Sequence, residues 1–387
     1  MEYWAKAGVE VVILTESGTT IERNNLIIYP IQGLFYPRNW QSSLNDQSIP
    51  TYSGYVSPDL IPTVIRMLNR KIQADVIYTC GTSFSGVFSA ILGLMTGIPT
   101  VHYVFHHIQS WRWWRGDVDA LEGYKVPFRH VAGQFLRDAP REVLRRDFLT
   151  KLALRRINRI ITSSKYVKNA VCKLGLDAEN ISVVYPGIEI PHLNGEFRGA
   201  ETPLVTYFGN LWQGRGVLDL LEAFPRIIRN FPKAKLVVAA SNVNPLTKRH
   251  FKQIIGKYNL GPNIEEKGLV NDVYSELLLP ATVIVLPYRD FPSIKLIESM
   301  AAAKPVVTTP LQWIPELISD GSSGLLVNVG DINGIAKKIA DVLGDPIFAE
   351  IIGNNARRII EEKCNLCGNA EATLNIIRDA AHEGIKD

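Results

Sequence analysis

Short apolar runs bounded by turn residues alternate with longer stretches of helical periodicity along most of this chain, the rhythm of parallel sheets covered on both faces by helices. Candidate strands in the first half are Glu10 to Thr15, Val76 to Thr79, Thr100 to Phe105, Arg159 to Thr162 and Ser182 to Tyr185. The second half repeats the pattern with Leu204 to Phe208, Lys235 to Ala239, Ile264 to Lys267, Val283 to Leu286, Val306 to Thr308 and Gly324 to Val327. Between the halves, Pro186 to Gly195 is rich in turn formers and lacks periodicity, which marks a hinge. The expected organisation is an α/β protein with an N-terminal domain over 1–186, a hinge over 187–200, a second domain over 201–365, and a C-terminal helix over 366–387 that crosses back to the first domain. Two doubly wound domains facing a cleft would place the strand ends of both on the cleft wall.

Two strand-to-helix junctions in the second half carry the candidate chemistry. The strand Leu204 to Phe208 runs into Gly209-Asn210-Leu211-Trp212-Gln213-Gly214-Arg215-Gly216, and then into an amphipathic helix with Leu220, Leu221 and Phe224 on one face. Glycines such as Gly209, Gly214 and Gly216 let a backbone approach a phosphate, and Arg215 offers a fixed cationic fork for its oxygens. About eighty residues later the run Val283 to Leu286 leads into Asp290-Phe291-Pro292-Ser293-Ile294-Lys295-Leu296-Ile297-Glu298. A helix beginning there presents backbone amides, those of Ser293 and Ile294 among them, to an anion, with Lys295 beside them. Carboxylates are good acceptors for vicinal hydroxyls, so Asp290 and Glu298, with seven residues between them, suit a hexose at one end of the anion and a ribose at the other.

On these residues the chain resembles the family 4 retaining glycosyltransferases of the GT-B fold. Their mark is an acidic residue, seven residues, then Glu, a small-residue helix and Pro-Val-Val, here Asp290, Glu298, Ala301 to Ala303 and Pro305-Val306-Val307. Ser293 and Lys295 match a subset of the family, and Ile314 to Ile318 and Gly321 to Val327 are further matches. The resemblance implies two Rossmann-like domains, and transfer of a hexose from a nucleoside diphosphate sugar to a glycan or lipid-linked acceptor with retention. It implies that Glu298 binds the ribose hydroxyls and Asp290 faces the sugar. It also implies that Arg215 and Lys295 hold the diphosphate with the backbone around Gly209, Asn210, Gly214 and Gly216, and that no metal or other cofactor is required. His106, at the end of the strand beginning at Thr100, matches a histidine that contacts the transferred sugar, with His102 on the same face as a reserve.

The chain departs from the family in four places. Asp290 replaces the usual Glu, Asn210 stands where a first cation is usual, and the hinge approach Tyr185-Pro186-Gly187 lacks the usual Asn. The N-terminus resembles a family member entered inside its first helix, so that the first strand of the N-terminal domain is expected to be missing. These departures leave a catalytically silent glycosyltransferase-like partner as the alternative, and a GT-B phosphorylase or sugar-nucleotide epimerase as a further one.

Composition adds limits rather than chemistry. The chain has 387 residues, enough for two or three cores, and 42 Lys and Arg against 38 Asp and Glu give a formal net charge of +4. That balance argues against a dedicated nucleic-acid binder. The longest apolar stretches fall short of the roughly 18 to 20 residues a spanning helix needs, and no basic-then-apolar leader opens the sequence, so the expected compartment is the cytoplasm. Trp111, Trp113 and Trp114, followed by a basic and apolar helical pattern around Arg145, read as a peripheral contact with the inner face of a membrane or with a lipid-phosphate acceptor. Cys80 and Cys172 read as small apolar core residues, while Cys364 and Cys367 have a redox or metal spacing without a second ligand pair.

Overall fold

The structure is a computed structural model. It describes residues 2–15, 21–23, 25–30, 35–37, 52–56, 61–70, 72–81, 83–105, 151–191 and 202–384. These form two compact units, one from the described residues up to 105 together with 151–185 and 367–384, the other from 186–191 and 202–366.

The first unit holds α1 (Glu2–Lys6), β1 (Val11–Thr15), β2 (Ile21–Arg23), β3 (Leu26–Pro30), β4 (Phe35–Pro37), β5 (Tyr52–Val56), α2 (Ile61–Arg70), β6 (Ile77–Gly81), α3 (Ser83–Thr96), β7 (Thr100–Val104), β8 (Arg159–Thr162), α4 (Lys165–Cys172) and β9 (Ile181–Val183). Strands β6-β7-β8-β9 make a parallel sheet in that order, and β1 pairs in parallel with β3 in a separate sheet completed by antiparallel β2. Strand β7 is buried along its length, and Val104 packs with Ile160, Val167 and Ile181. Residues 367–384 belong to this unit. Leu374 packs with Trp4 and Val11, and the Trp4 indole donates to the Ala370 carbonyl at 2.8 Å. Cys80 departs from the expected core role: it is exposed, because β6 has a hydrogen-bonded neighbour on one side only among the described residues.

The second unit holds β10 (Leu204–Leu211), α5 (Val217–Asn230), β11 (Lys235–Val243), α6 (Pro245–Tyr258), β12 (Ile264–Lys267), β13 (Val283–Leu286), α7 (Lys295–Ala301), β14 (Val306–Thr308), α8 (Ile314–Leu317), β15 (Leu325–Leu326), α9 (Ile332–Gly344) and α10 (Pro346–Lys363); α11 (Leu366–Gly384) follows it. Its six strands are parallel in the order β12-β11-β10-β13-β14-β15. All four residues of β13 are fully buried, as a strand covered on both faces requires. The apolar face expected after Val217 forms, since Leu220, Leu221 and Phe224 are each completely enclosed. Chain direction across the sheet reverses between β10 and β13. In an open doubly wound sheet this switch point leaves a crevice outside the strand ends, where ligands bind.

Of the hinge, residues 187–191 are described and belong to the second unit. Ile188 donates to Cys364 O at 2.9 Å and accepts from Leu366 N at 3.1 Å. Gly187 is needed there, because a Cβ on it would lie 2.8 Å from Leu366 Cα.

Candidate functional site

Both glycine- and acid-bearing segments found in the sequence leave neighbouring strands at the switch point. Strand β10 continues three residues beyond its expected end, through Gly209, Asn210 and Leu211, because Gly209 and Leu211 pair onward with β11 across an irregularity that holds Asn210. Asn210 is therefore a strand residue, and its carbonyl accepts from the buried Tyr207 hydroxyl at 2.7 Å. A single helical turn, Gln213–Arg215, then leads through Gly216 into α5.

Backbone contacts clamp this turn to the loop after β13. The Gly214 carbonyl accepts from both Arg289 N (2.9 Å) and Asp290 N (3.3 Å). Gly216 has φ +71°, and a Cβ there would stand 1.7 Å from the Pro287 carbonyl oxygen. A Cβ on Gly214 would meet Asp290 Oδ2 at 2.1 Å, so Asp290 lies directly against the glycine turn. Its other oxygen accepts from Phe291 N at 2.5 Å. Thr309 Oγ1 donates to Tyr288 O at 2.7 Å, tying the same loop to the segment after β14.

Each of the two cations lies over an aromatic ring of its own. Arg215 is only 8% exposed, donates from Nη1 to Phe291 O at 2.6 Å, and holds its guanidinium 4.1 Å from the Phe291 ring centre. Lys295, the first residue of α7, runs along Gly209, with its Nζ 5.2 Å from the Phe208 ring centre. Cations held over aromatic faces keep their charge with fewer waters around it, which favours exchange of water for an anion. The Ser293 and Tyr288 hydroxyls lie 2.9 Å apart, and burial pushes the Tyr288 phenol up to about 12. Ile294 is exposed and its carbonyl accepts from Glu298 N at 3.0 Å. Glu298 is half-buried on α7; burial raises its carboxyl above the ordinary range and Lys295 draws it back. Asp290, Arg215, Lys295, Ser293, Ile294, Glu298, Gly209, Asn210, Gly214 and Gly216 thus belong to one switch-point region of the second unit.

Two participants were not foreseen from the sequence. Asp219 and Arg289 form a bidentate pair, with Nε and Nη2 each 2.7 Å from a carboxylate oxygen. The available signal was an acid inside the apolar stretch Val217 to Leu221. His106, Trp111, Trp113, Trp114 and Arg145 lie outside the described residues. His102 is completely buried on β7, with Nδ1 2.8 Å from Thr79 Oγ1 and its ring against Gly86. Among the described residues no helix is long and apolar enough to cross a membrane.

Two family models cover most of the chain: Glycosyltransferase Family 4 over residues 1–191 and Glycosyl transferases group 1 over residues 202–345, the latter containing every residue of the switch-point region above. The chain belongs to the family 4 glycosyltransferases of the GT-B fold. An uncharacterised glycosyltransferase of Methanocaldococcus jannaschii is 29% identical over 239 residues, 57% of this chain and 60% of that relative's own length. Sucrose-phosphate synthase from Thermosynechococcus elongatus superposes with a TM-score of 0.69 at 20% identity, over 98% of this chain and 90% of that one. Anabaena HepE, solved in complex with UDP, superposes with a TM-score of 0.64 at 16% identity, over 83% and 82% of the two chains. Within this family the two parallel sheets described above are the Rossmann-like cores of the GT-B fold.

Proposed function

We propose that this chain is a retaining glycosyltransferase that moves a hexose from a nucleoside diphosphate sugar to a hydroxyl of a glycan or lipid-linked acceptor. One observation carries the reading: the turns bearing Arg215 and Lys295, and the acids Asp290 and Glu298, leave β10 and β13 side by side at the switch point. Arg215, Lys295 and the amides near Ser293 and Ile294 hold the diphosphate, with Gly209, Asn210, Gly214 and Gly216 shaping its bed. Glu298 accepts from the ribose hydroxyls, and Asp290 and His106 orient the sugar. The bond from the anomeric carbon to the diphosphate oxygen breaks, and the acceptor oxygen bonds that carbon on the same face. The acceptor proton passes to the leaving phosphate oxygen, so no enzyme nucleophile is used. The protein's part is to stabilise charge growing on the phosphate, which fixed cations do without reorganisation.

The test is calorimetric titration with UDP-, GDP- and ADP-sugars against the unaltered chain and Glu298→Ala. The complex of HepE with UDP makes the uridine series the first choice. Micromolar binding of one donor, weakened at least tenfold in Glu298→Ala, is the expected result, about 1.4 kcal/mol. Failure to bind any nucleotide sugar refutes the enzyme reading in favour of a silent partner.

A further inference from the structure

The Asp219–Arg289 pair lies next to the donor loops without belonging to the motifs that define them. Asp219 sits in the first turn of α5 and is only 5% exposed. A carboxylate so enclosed must be paired, and its place at a helix start adds favourable dipole. Arg289 supplies the pair through a planar two-point fork that fixes both distance and orientation. Gly330 lies beside the fork, where a Cβ would be 3.4 Å from Arg289 Nη2.

Residue 289 is thus fixed twice, by its amide on the Gly214 carbonyl and by its side chain on α5. The next residue is Asp290, whose amide shares the same carbonyl and whose carboxylate packs against Gly214. With both ends of residue 289 held, the direction in which the chain delivers Asp290 has little freedom left. We infer that Asp219 and Arg289 are positioning residues that set Asp290 for the donor sugar, an inference that rests on the donor-site reading above. The same carbonyl holds the turn that carries Arg215, so one ion pair keeps both loops in register.

The test compares a UDP-sugar with UDP alone, by calorimetry, on the unaltered chain, Arg289→Lys, Arg289→Gln, Asp219→Asn and the double variant Asp219→Asn/Arg289→Gln, with thermal unfolding of each. The expected result is selective. Affinity for UDP stays within about threefold, while the extra affinity contributed by the sugar falls about tenfold or more, as a misplacement near 1 Å can cause. Losses in the double variant should be far from additive, since both members act through one contact. Arg289→Lys keeps a cation beside the buried carboxylate, so it folds and still loses the fork. Parallel loss of UDP and UDP-sugar binding, following a fall in unfolding temperature, overturns the inference in favour of a scaffold pair. An unchanged sugar increment overturns it as well. Absence of nucleotide-sugar binding by the unaltered chain is a different failure, since it removes the donor site and the pair's role with it.

Discussion

Gly216→Ala is the sharpest test of how the two loops fit together. The residue has φ +71°, a left-handed conformation that costs an L-residue roughly 1 to 2 kcal/mol. The added methyl would stand 1.7 Å from the Pro287 carbonyl oxygen, whereas real Cβ contacts essentially never fall under 3.0 Å. The loop after β13 must therefore retreat by more than 1 Å, or α5 must shift by as much. The obstacle is backbone, so no rotamer change relieves it, and overpacking of this kind costs about 1 to 3 kcal/mol. Together the two effects predict a loss of about 2 to 5 kcal/mol, or roughly 5 to 15 °C in the transition that unfolds the second unit. Gly256→Ala is the control. It lies within α6, where a Cβ would meet nothing within 4 Å, and should stabilise by about 0.5 to 1 kcal/mol through helix propensity alone. Scanning calorimetry and urea unfolding of both variants decide the matter. If Gly216→Ala unfolds within about 1 °C of the unaltered chain, the close approach to Pro287 is not what the glycine is there to permit.

Three further outcomes follow from neighbouring residues. Arg215→Lys removes the planar fork on the Phe291 carbonyl and ring, and should weaken donor binding about tenfold or more in the same calorimetric titration; unchanged affinity would exclude Arg215 from the diphosphate site. Burial raises the Glu298 carboxyl, so the folded state holds its proton longer than the unfolded one and stability falls as pH rises through the raised value. The unfolding temperature of Glu298→Gln relative to the unaltered chain should therefore climb from about pH 4 to about pH 7, and a flat difference would contradict that environment. Lys304, between α7 and β14, is lowered by burial to about 8, so its charged form costs stability below that value and the cost disappears towards 10.5. Lys304→Met should gain on the order of 1 kcal/mol in urea unfolding at neutral pH and nothing at high pH, and a gain independent of pH would point to packing instead.

What the sequence shows and what it hides divide along physical lines. Val283 to Leu286 was legible as a strand because a parallel strand buried on both faces must be apolar at every position. The same reasoning locates β10, β11 and β14, and the donor segments then follow as the chain leaving β10 and β13. Strands β2, β4 and β5 carry no such run and are not marked by it, and β3 escapes the reading although Leu26 to Tyr29 is apolar; β2 and β3 pair antiparallel with each other, as do β4 and β5, through contacts a linear pattern does not record. The end of β10 was read three residues short, because glycine and asparagine signal a turn, while here pairing with β11 overrides local preference.

Gly214 and Gly216 have a packing role in the structure that a sequence reading does not supply. A sequence reading gives Gly214 and Gly216 to a ligand, since a bare backbone suits a phosphate. In the structure their missing side chains are already spoken for, by the Asp290 carboxylate and the Pro287 carbonyl. The two readings are compatible where the loop proposed to face the sugar is built directly onto the turn proposed to hold the phosphate, as the contacts of Gly214 with Asp290 have it. The Asp219–Arg289 pair shows why that assembly is invisible in one dimension: an acid among leucines and an arginine seventy residues away look equally solvated, yet the fold encloses the acid and leaves the arginine exposed over it. An ion pair with one exposed partner is a poor source of stability compared with apolar packing, because water screens its attraction and the enclosed carboxylate has been desolvated. Its value here is directional. It fixes one loop against one helix with two hydrogen bonds, and orientation is what a site that must hold both a diphosphate and a sugar requires of its scaffold.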